Sequence, residues 1–204
     1  MRTTTKEIKA YSYPELSEKA KERVKQWYLD NSLRNDIFYD NCKEFYVTEF
    51  PNSNLEPHYS LNSCQGDGYN TEGKLRISDV IDKLDLTDKE KRTLHFYFDR
   101  LGTVFVFYKN TRYGYSCKFI DRKYIDGYVE DAIEDAKDYH WRNVNTSLIK
   151  KMYELMFDYF EELDETFEKS GYKYLYEVDE EEISEVCEAN NWEFSENGEL
   201  LPDI

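Results

Sequence analysis

Four cysteines and three histidines are the side chains best suited to nucleophilic or metal chemistry here, and their spacing argues against most of it. Cys42, Cys64, Cys117 and Cys187 lack the close pairs that bring two sulfurs to one zinc ion or form a redox-active dithiol. They read as reduced thiols serving mainly as packing groups. His58, His95 and His140 stand equally apart, with no H-E-x-x-H arrangement to set two ligands on one helical face. A metal site needs several convergent ligands, and Asp179-Glu180-Glu181-Glu182 does not match the alternating ligands of a calcium-binding loop. Neither a metal nor a cofactor is expected. The enzymatic alternative is Cys64 as a nucleophile or Asp67 as an acid, acting on a nucleotide. It requires a base within hydrogen-bond reach, which His58 or His95 would have to supply. With no assembled catalytic constellation, the expectation is a protein that is not an enzyme and has no catalytic residues.

A second candidate is the turn Gln65, Gly66, Asp67, Gly68 and Tyr69. Its plain reading is a β-hairpin turn, because Asp-Gly supplies the positive φ angles that tight hairpins require. Its functional reading is a small anion nest of exposed backbone N–H groups, with Gln65 and Asp67 as polar contacts. The Lys-Ser/Thr pair that completes a phosphate loop is missing.

The third candidate is acidic. The chain carries 27 basic residues against 43 acidic ones, a net charge of −16. Nearly all of that sits between Lys151 and Ile204, where three basic residues face eighteen acids. At helical spacing, Glu154, Asp158, Glu161, Glu165 and Glu168 fall on one stripe, and Glu181, Glu185 and Glu188 repeat the pattern further on. The first stripe is roughly 21 Å long with neighbours about 5–6 Å apart, and a DNA strand of that length carries about six phosphates. The plain reading is a solvated face. Against it, a surface made only for solubility intersperses both signs.

These residues need elements to hold them, and the hydrophobic pattern supplies an α+β set. A short strand is expected over Glu7 to Tyr13, then a helix through Leu16, Ala20, Val24 and Trp27, and a second helix over about 33–50. Extended segments on either side of the Gly-Asp-Gly turn form a hairpin. Ser78 or Asp79 caps a short helix, and Thr87-x-x-Glu90 forms a capping box for the next. Thr103 to Tyr108 and Tyr115 to Ile120 read as a second hairpin, rich in aromatic and β-branched residues. Gly127 separates it from a helix over 128–136. Asn145 or Thr146 caps the longest helix, with Leu148, Met152, Leu155, Tyr159, Leu163 and Phe167 inward, and Ser170-Gly171 stops it. Tyr172 to Tyr176 is expected to be extended. A helix over 179–190 and a small hairpin turning at Glu196-Asn197-Gly198 complete the chain. The expectation is one α+β domain over 1–204, a small antiparallel sheet of β-hairpins packed against several helices, with 144–204 as an acidic helical subdomain.

Hydrophobic residues make up 40% and aromatic ones 17%, enough for a real core and unlike an acidic disordered chain. No apolar run is long enough for a membrane span, and the first residues are polar where a signal peptide would be apolar. A soluble cytoplasmic protein is the expectation. Its acidic surface repels phosphates and anionic lipid, which excludes direct nucleic acid and membrane binding and calls for a basic partner.

Three segments carry a resemblance when taken together. They are Tyr11-x-Tyr13-x-Glu15-Leu16-Ser17-Glu18-Lys19-Ala20-Lys21, the Ser63-Cys64-Gln65-Gly66-Asp67-Gly68 turn, and Ile183-x-Glu185-x-x-x-Ala189-Asn190-x-x-Glu193-Phe194-x-x-x-Gly198. The set resembles small, uncharacterised proteins encoded by bacteriophages and prophages, and departs from them at Tyr69, where they carry a small residue. The resemblance implies an accessory protein working in the bacterial cytoplasm. Strongly acidic phage accessory proteins resemble, as a class, inhibitors of host defence that imitate DNA, anti-restriction and anti-CRISPR proteins among them. The leading expectation is therefore a non-enzymatic inhibitor that binds the basic groove of a host nucleic-acid-binding protein through both acidic stripes, with Tyr153 and Tyr172 as uncharged anchors. The alternative is a protein-binding module using the Gly-Asp-Gly turn and the aromatic sheet.

Overall fold

Side-chain caps and turn residues mark out the elements in a computed structural model, which describes residues 8–62, 66–107, 120–139 and 144–202. The Ser17 hydroxyl accepts from the Ala20 amide and starts helix α1 (Glu18–Asn31). Helix α2 (Arg34–Glu49) follows, and strands β1 (Asn54–Ser60) and β2 (Gly68–Arg76) form the expected antiparallel hairpin, with Tyr59 opposite Tyr69. A short helix α3 (Ile77–Ile81) leads to α4 (Asp88–Leu101), where Thr87 and Glu90 satisfy each other's backbone donors as a capping box. Strand β3 (Val104–Phe107) pairs antiparallel with β2, which is the central strand of the sheet. Helices α5 (Ile125–Asp138), α6 (Thr146–Tyr176) and α7 (Glu180–Ala189) complete the set. The fold is α+β, a small three-stranded antiparallel sheet with several helices.

Local expectations are corrected at three places. From residue 8 on, the described part of the expected first strand makes a single bridge, Tyr11 to Phe194, because Ser12 and Glu15 cap each other across Pro14 and close a 3-10 turn (Tyr13–Glu15). Gly127 lies inside α5, which starts earlier because Ile125 is buried in the core and Asp126 pairs with Lys150 at 2.6 Å. These contacts outweigh the roughly 1 kcal/mol that a helical glycine costs. Helix α6 does not stop at Ser170-Gly171, and Tyr172 to Tyr176 is helical. The glycine is there for space: a Cβ at Gly171 would lie 2.5 Å from Leu61 Cδ1 and 2.8 Å from Phe38 Cζ. The expected return strand, Tyr115 to Ile120, lies outside the described residues except Ile120, which opens a 3-10 turn (Ile120–Tyr124).

The chain divides into two compact units, one built from Met1–Ile37 with Tyr172–Ile204 and the other from Phe38–Gly171. The core of the second unit joins Phe50, Leu75, Ile77, Leu94, Phe98, Phe105 and Phe107 to Met152, Met156, Phe157 and Phe160 of α6. The inward seam of α6 is rotated from the expected one. Ile149, Met152, Tyr153, Met156, Phe157, Phe160 and Asp164 are buried, while Leu155, Tyr159, Leu163 and Phe167 form a half-buried flank. The unit of the chain ends has its own core, with Tyr13, Leu16, Ala20 and Val24 against Val178, Ile183, Cys187 and Phe194. Trp27 and Trp192 meet edge to face at 5.1 Å beside it. The expected hairpin at the end of the chain is present: Phe194 bridges Leu200, and Gly198 turns it with φ +78.

Candidate functional site

The two acidic stripes fall in different units, Glu154 to Glu168 in Phe38–Gly171 and Glu181 to Glu188 in the unit of the chain ends. On α6, Glu154, Asp158 and Glu165 are exposed, and Glu161 and Glu168 are half-buried. This stripe is partly neutralised from within. Arg122 donates through Nη2 to Asp158 at 2.6 Å and through Nη1 to Glu161 at 3.0 Å. The hydrogen bond to Asp158, together with the charges of both carboxylates, raises the Arg122 pKa against the opposing effect of burial. Glu165 has Lys169 one turn on, at 3.7 Å.

The α7 carboxylates stand differently. Asp179 caps the helix by accepting from the Glu182 amide at 2.8 Å. Inward-facing Ile183 and Cys187 then turn Glu181, Glu185 and Glu188 outward, where all three are exposed. The local cations are taken by their neighbours, Lys21 by Glu180 at 3.4 Å and Arg34 by Glu182. Among the described residues no lysine, arginine or histidine forms an ion pair with Glu181, Glu185 or Glu188. Three acids in the first turn favour the helix through its dipole. Glu181 shares that help, whereas Glu185 and Glu188 lie beyond it, and all three face solvent.

Other candidates are placed less favourably. Tyr153 cannot be an interface anchor: it is 3% exposed, packs against Phe105 and Tyr128, and burial pushes its hydroxyl pKa up. Tyr172 is half-buried and stacks on Tyr176 at 6.2 Å. In the Gly-Asp-Gly turn, Cys64 and Gln65 lie outside the described residues. Asp67 accepts from the Ser60 hydroxyl at 2.9 Å, and Gly66 has φ +93. Tyr69 is fully buried, and Phe105 and Phe107 nearly so, so these three rings belong to the core. His58 lies 3.7 Å from Glu72, and His95 3.1 Å from Asp82. Among the described residues no group of histidine, cysteine and carboxylate side chains could hold a metal ion.

One polar constellation was hidden from sequence reasoning. Asp164 is fully buried on the inward seam of α6, with the Thr71 amide donating to Oδ2 at 2.9 Å and the Thr71 hydroxyl to Oδ1 at 2.6 Å. The same hydroxyl lies 2.8 Å from the Tyr46 hydroxyl, which lies 2.9 Å from that of Tyr69. Burial drives the Asp164 carboxyl well above its usual range, more than the two Thr71 hydrogen bonds lower it. Burial favours its neutral form, and the group ties helix to sheet, closed from solvent and therefore structural. In the sequence Asp164 is one acid among many; the signal was its position one turn from Phe160 and Phe167.

No helix among the described residues is long and apolar enough to cross a membrane. Comparison with protein-family models, with curated proteins and with solved structures finds no match for this chain. The functional reading therefore stands on the placement of its own side chains.

Proposed function

We propose that this protein is a non-enzymatic inhibitor of phage origin that occupies the basic groove of a host nucleic-acid-binding protein, a restriction or CRISPR nuclease, by presenting carboxylates in place of phosphates. The observation that supports it most is the outward set Glu181, Glu185 and Glu188, exposed and without an internal counter-charge among the described residues. A like-charged pair one turn apart costs an isolated helix a few tenths of a kcal/mol, and here Lys21 and Arg34 leave that pair unrelieved. A basic groove would relieve it. Glu154, Asp158, Glu161, Glu165 and Glu168 add to the field, the middle of that stripe weakened by Arg122. Such a field speeds association and makes it sensitive to salt. Phage origin and the bacterial cytoplasm as workplace rest on the resemblance of the two end segments and the glycine turn.

The test is competition with fluorescent duplex DNA for a panel of purified restriction and CRISPR nucleases. The protein should displace DNA from at least one of them, and the triple charge reversal Glu181→Lys, Glu185→Lys and Glu188→Lys, folded by circular dichroism, should lose that displacement by a factor of about 100 or more. Undiminished competition by the triple variant, or no displacement anywhere in the panel at low salt, would sink the proposal.

A further inference from the structure

Two helices in the unit of the chain ends finish in different ways, and the difference points to a ligand. Helix α6 ends with Arg34 folded onto it. Arg34 Nε donates to Tyr174 O at 2.7 Å and Nη2 to Glu177 O at 3.0 Å, while Nη1 pairs with the Glu182 carboxylate. Its guanidinium carbon lies 4.4 Å from the centre of the Tyr174 ring. The arginine is 6% exposed. The negative end of a helix, an aromatic face and a carboxylate have together captured a guanidinium, as their physics predicts.

Helix α7 ends with the same three features and no such cation. Asn191, at φ +53, turns the chain back so that the Trp192 amide donates to Cys187 O at 2.9 Å. Beside this last turn a cavity of about 450 Å³ opens against Ser12 to Pro14. Its wall includes Tyr13, Cys187, Glu188, Asn191, Trp192 and Glu193, and contains neither lysine nor arginine. Lys21 lies 5.9 Å over the Tyr13 ring but is engaged by Glu18 and Glu180, each at 3.4 Å. Burial raises the Cys187 thiol to about 11, so at neutral pH the wall holds no thiolate. What remains is an aromatic, carboxylate-flanked cavity at the negative end of a ten-residue helix, in the size range of small-ligand sites.

We infer that this cavity receives an arginine side chain of the basic partner, its guanidinium seated against Trp192 and paired with Glu188 and Glu193. The inference rests on the proposed function, whose basic groove supplies the arginine, and it names one contact within that interface. Arginine suits the cavity better than lysine, because a planar guanidinium stacks on an indole while bridging carboxylates, whereas an ammonium is a compact point charge. Anionic ligands are repelled by both carboxylates and by the helix end.

The test uses the full chain labelled with ¹⁵N and reads the Trp192 indole and Asn191 amide signals during titration with N-acetyl-arginine amide. Saturable shifts with a Kd on the order of millimolar are expected. N-acetyl-citrulline amide, neutral and of similar shape, should produce none. Glu188→Gln with Glu193→Gln should weaken the arginine titration at least about tenfold, while Glu196→Gln with Glu199→Gln, the same loss of charge outside the cavity wall, should not. Equal response to citrulline, indifference to the first pair, or no saturable shift would overturn the inference. If arginine binds as expected but no nuclease is displaced from DNA, the proposed function fails and the arginine site stands. If DNA competition is intact while the titration fails, the cavity inference fails alone.

Discussion

At the scale of single residues, the most consequential side chain for stability is Asp164. Its carboxyl is enclosed between α6 and β2, where among the described residues it hydrogen-bonds Thr71 alone. Burial raises its pKa well above the usual carboxylate range, so folding favours the protonated carboxyl relative to the unfolded chain. The stability this group contributes is complete below the unfolded carboxylate pKa and is lost as pH rises toward the folded one, at about 1.4 kcal/mol per pH unit. Asp164→Asn keeps an acceptor for the Thr71 amide and, with the Thr71 hydroxyl turned round to accept from the new amide group, the second bond, without the titration. Urea midpoints should therefore show the variant gaining on the wild type as pH is raised from about 4 to about 8. Parallel curves for the two proteins would show that the carboxyl is not held neutral. Thr71→Val, which strips the network of its central hydroxyl, should cost about 1–3 kcal/mol at any pH.

At the scale of elements, the terminal hairpin is braced by a close approach. Gly198 has φ +78, and a Cβ there would lie 2.5 Å from the carbonyl oxygen of Ala20 in α1. Gly198→Ala should destabilise the unit of the chain ends by about 1–3 kcal/mol, measured by denaturant unfolding, because both the backbone conformation and the space are wrong for a side chain. Much at this scale was legible beforehand. The Thr87 and Glu90 box, the Asp179 region as a helix start, the Gly-Asp-Gly hairpin and the turn at Gly198 all follow from local chemistry. The differences share one cause: local chemistry makes Gly127 and Gly171 breakers, whereas tertiary contacts at Ile125, Leu61 and Phe38 set their roles. The seam of α6 was misjudged for a related reason. Apolar residues cover more than half of its girth, so spacing alone admits two neighbouring faces, and a buried acid is counted as surface. For the same reason the partners of the acids were invisible: nothing in the spacing shows Arg122 reaching Asp158 and Glu161, or Glu181, Glu185 and Glu188 left without a cation.

At the scale of the whole molecule, one compact unit is discontinuous in sequence. Its core takes Tyr13, Leu16, Ala20 and Val24 from the start of the chain and Val178, Ile183, Cys187 and Phe194 from its end. A chain ending at Glu177 loses half of those apolar contacts, along with Glu182 as the partner of Arg34. Amide hydrogen exchange in α1 should then fall to the rates of an unprotected peptide, while the protected core of Phe38–Gly171 persists. Retained protection in α1 would show that the first helices stand without the last. The Trp27 and Trp192 contact has an optical consequence. Of the three tryptophans, only Trp141 falls within Phe38–Gly171 by sequence. In a Trp141→Phe protein every indole chromophore therefore reports from the unit of the chain ends, so indole emission follows the unfolding of that unit by itself. The smaller unit thus carries its own fluorescent colour, written into the chain by the edge-to-face pair that packs beside its core.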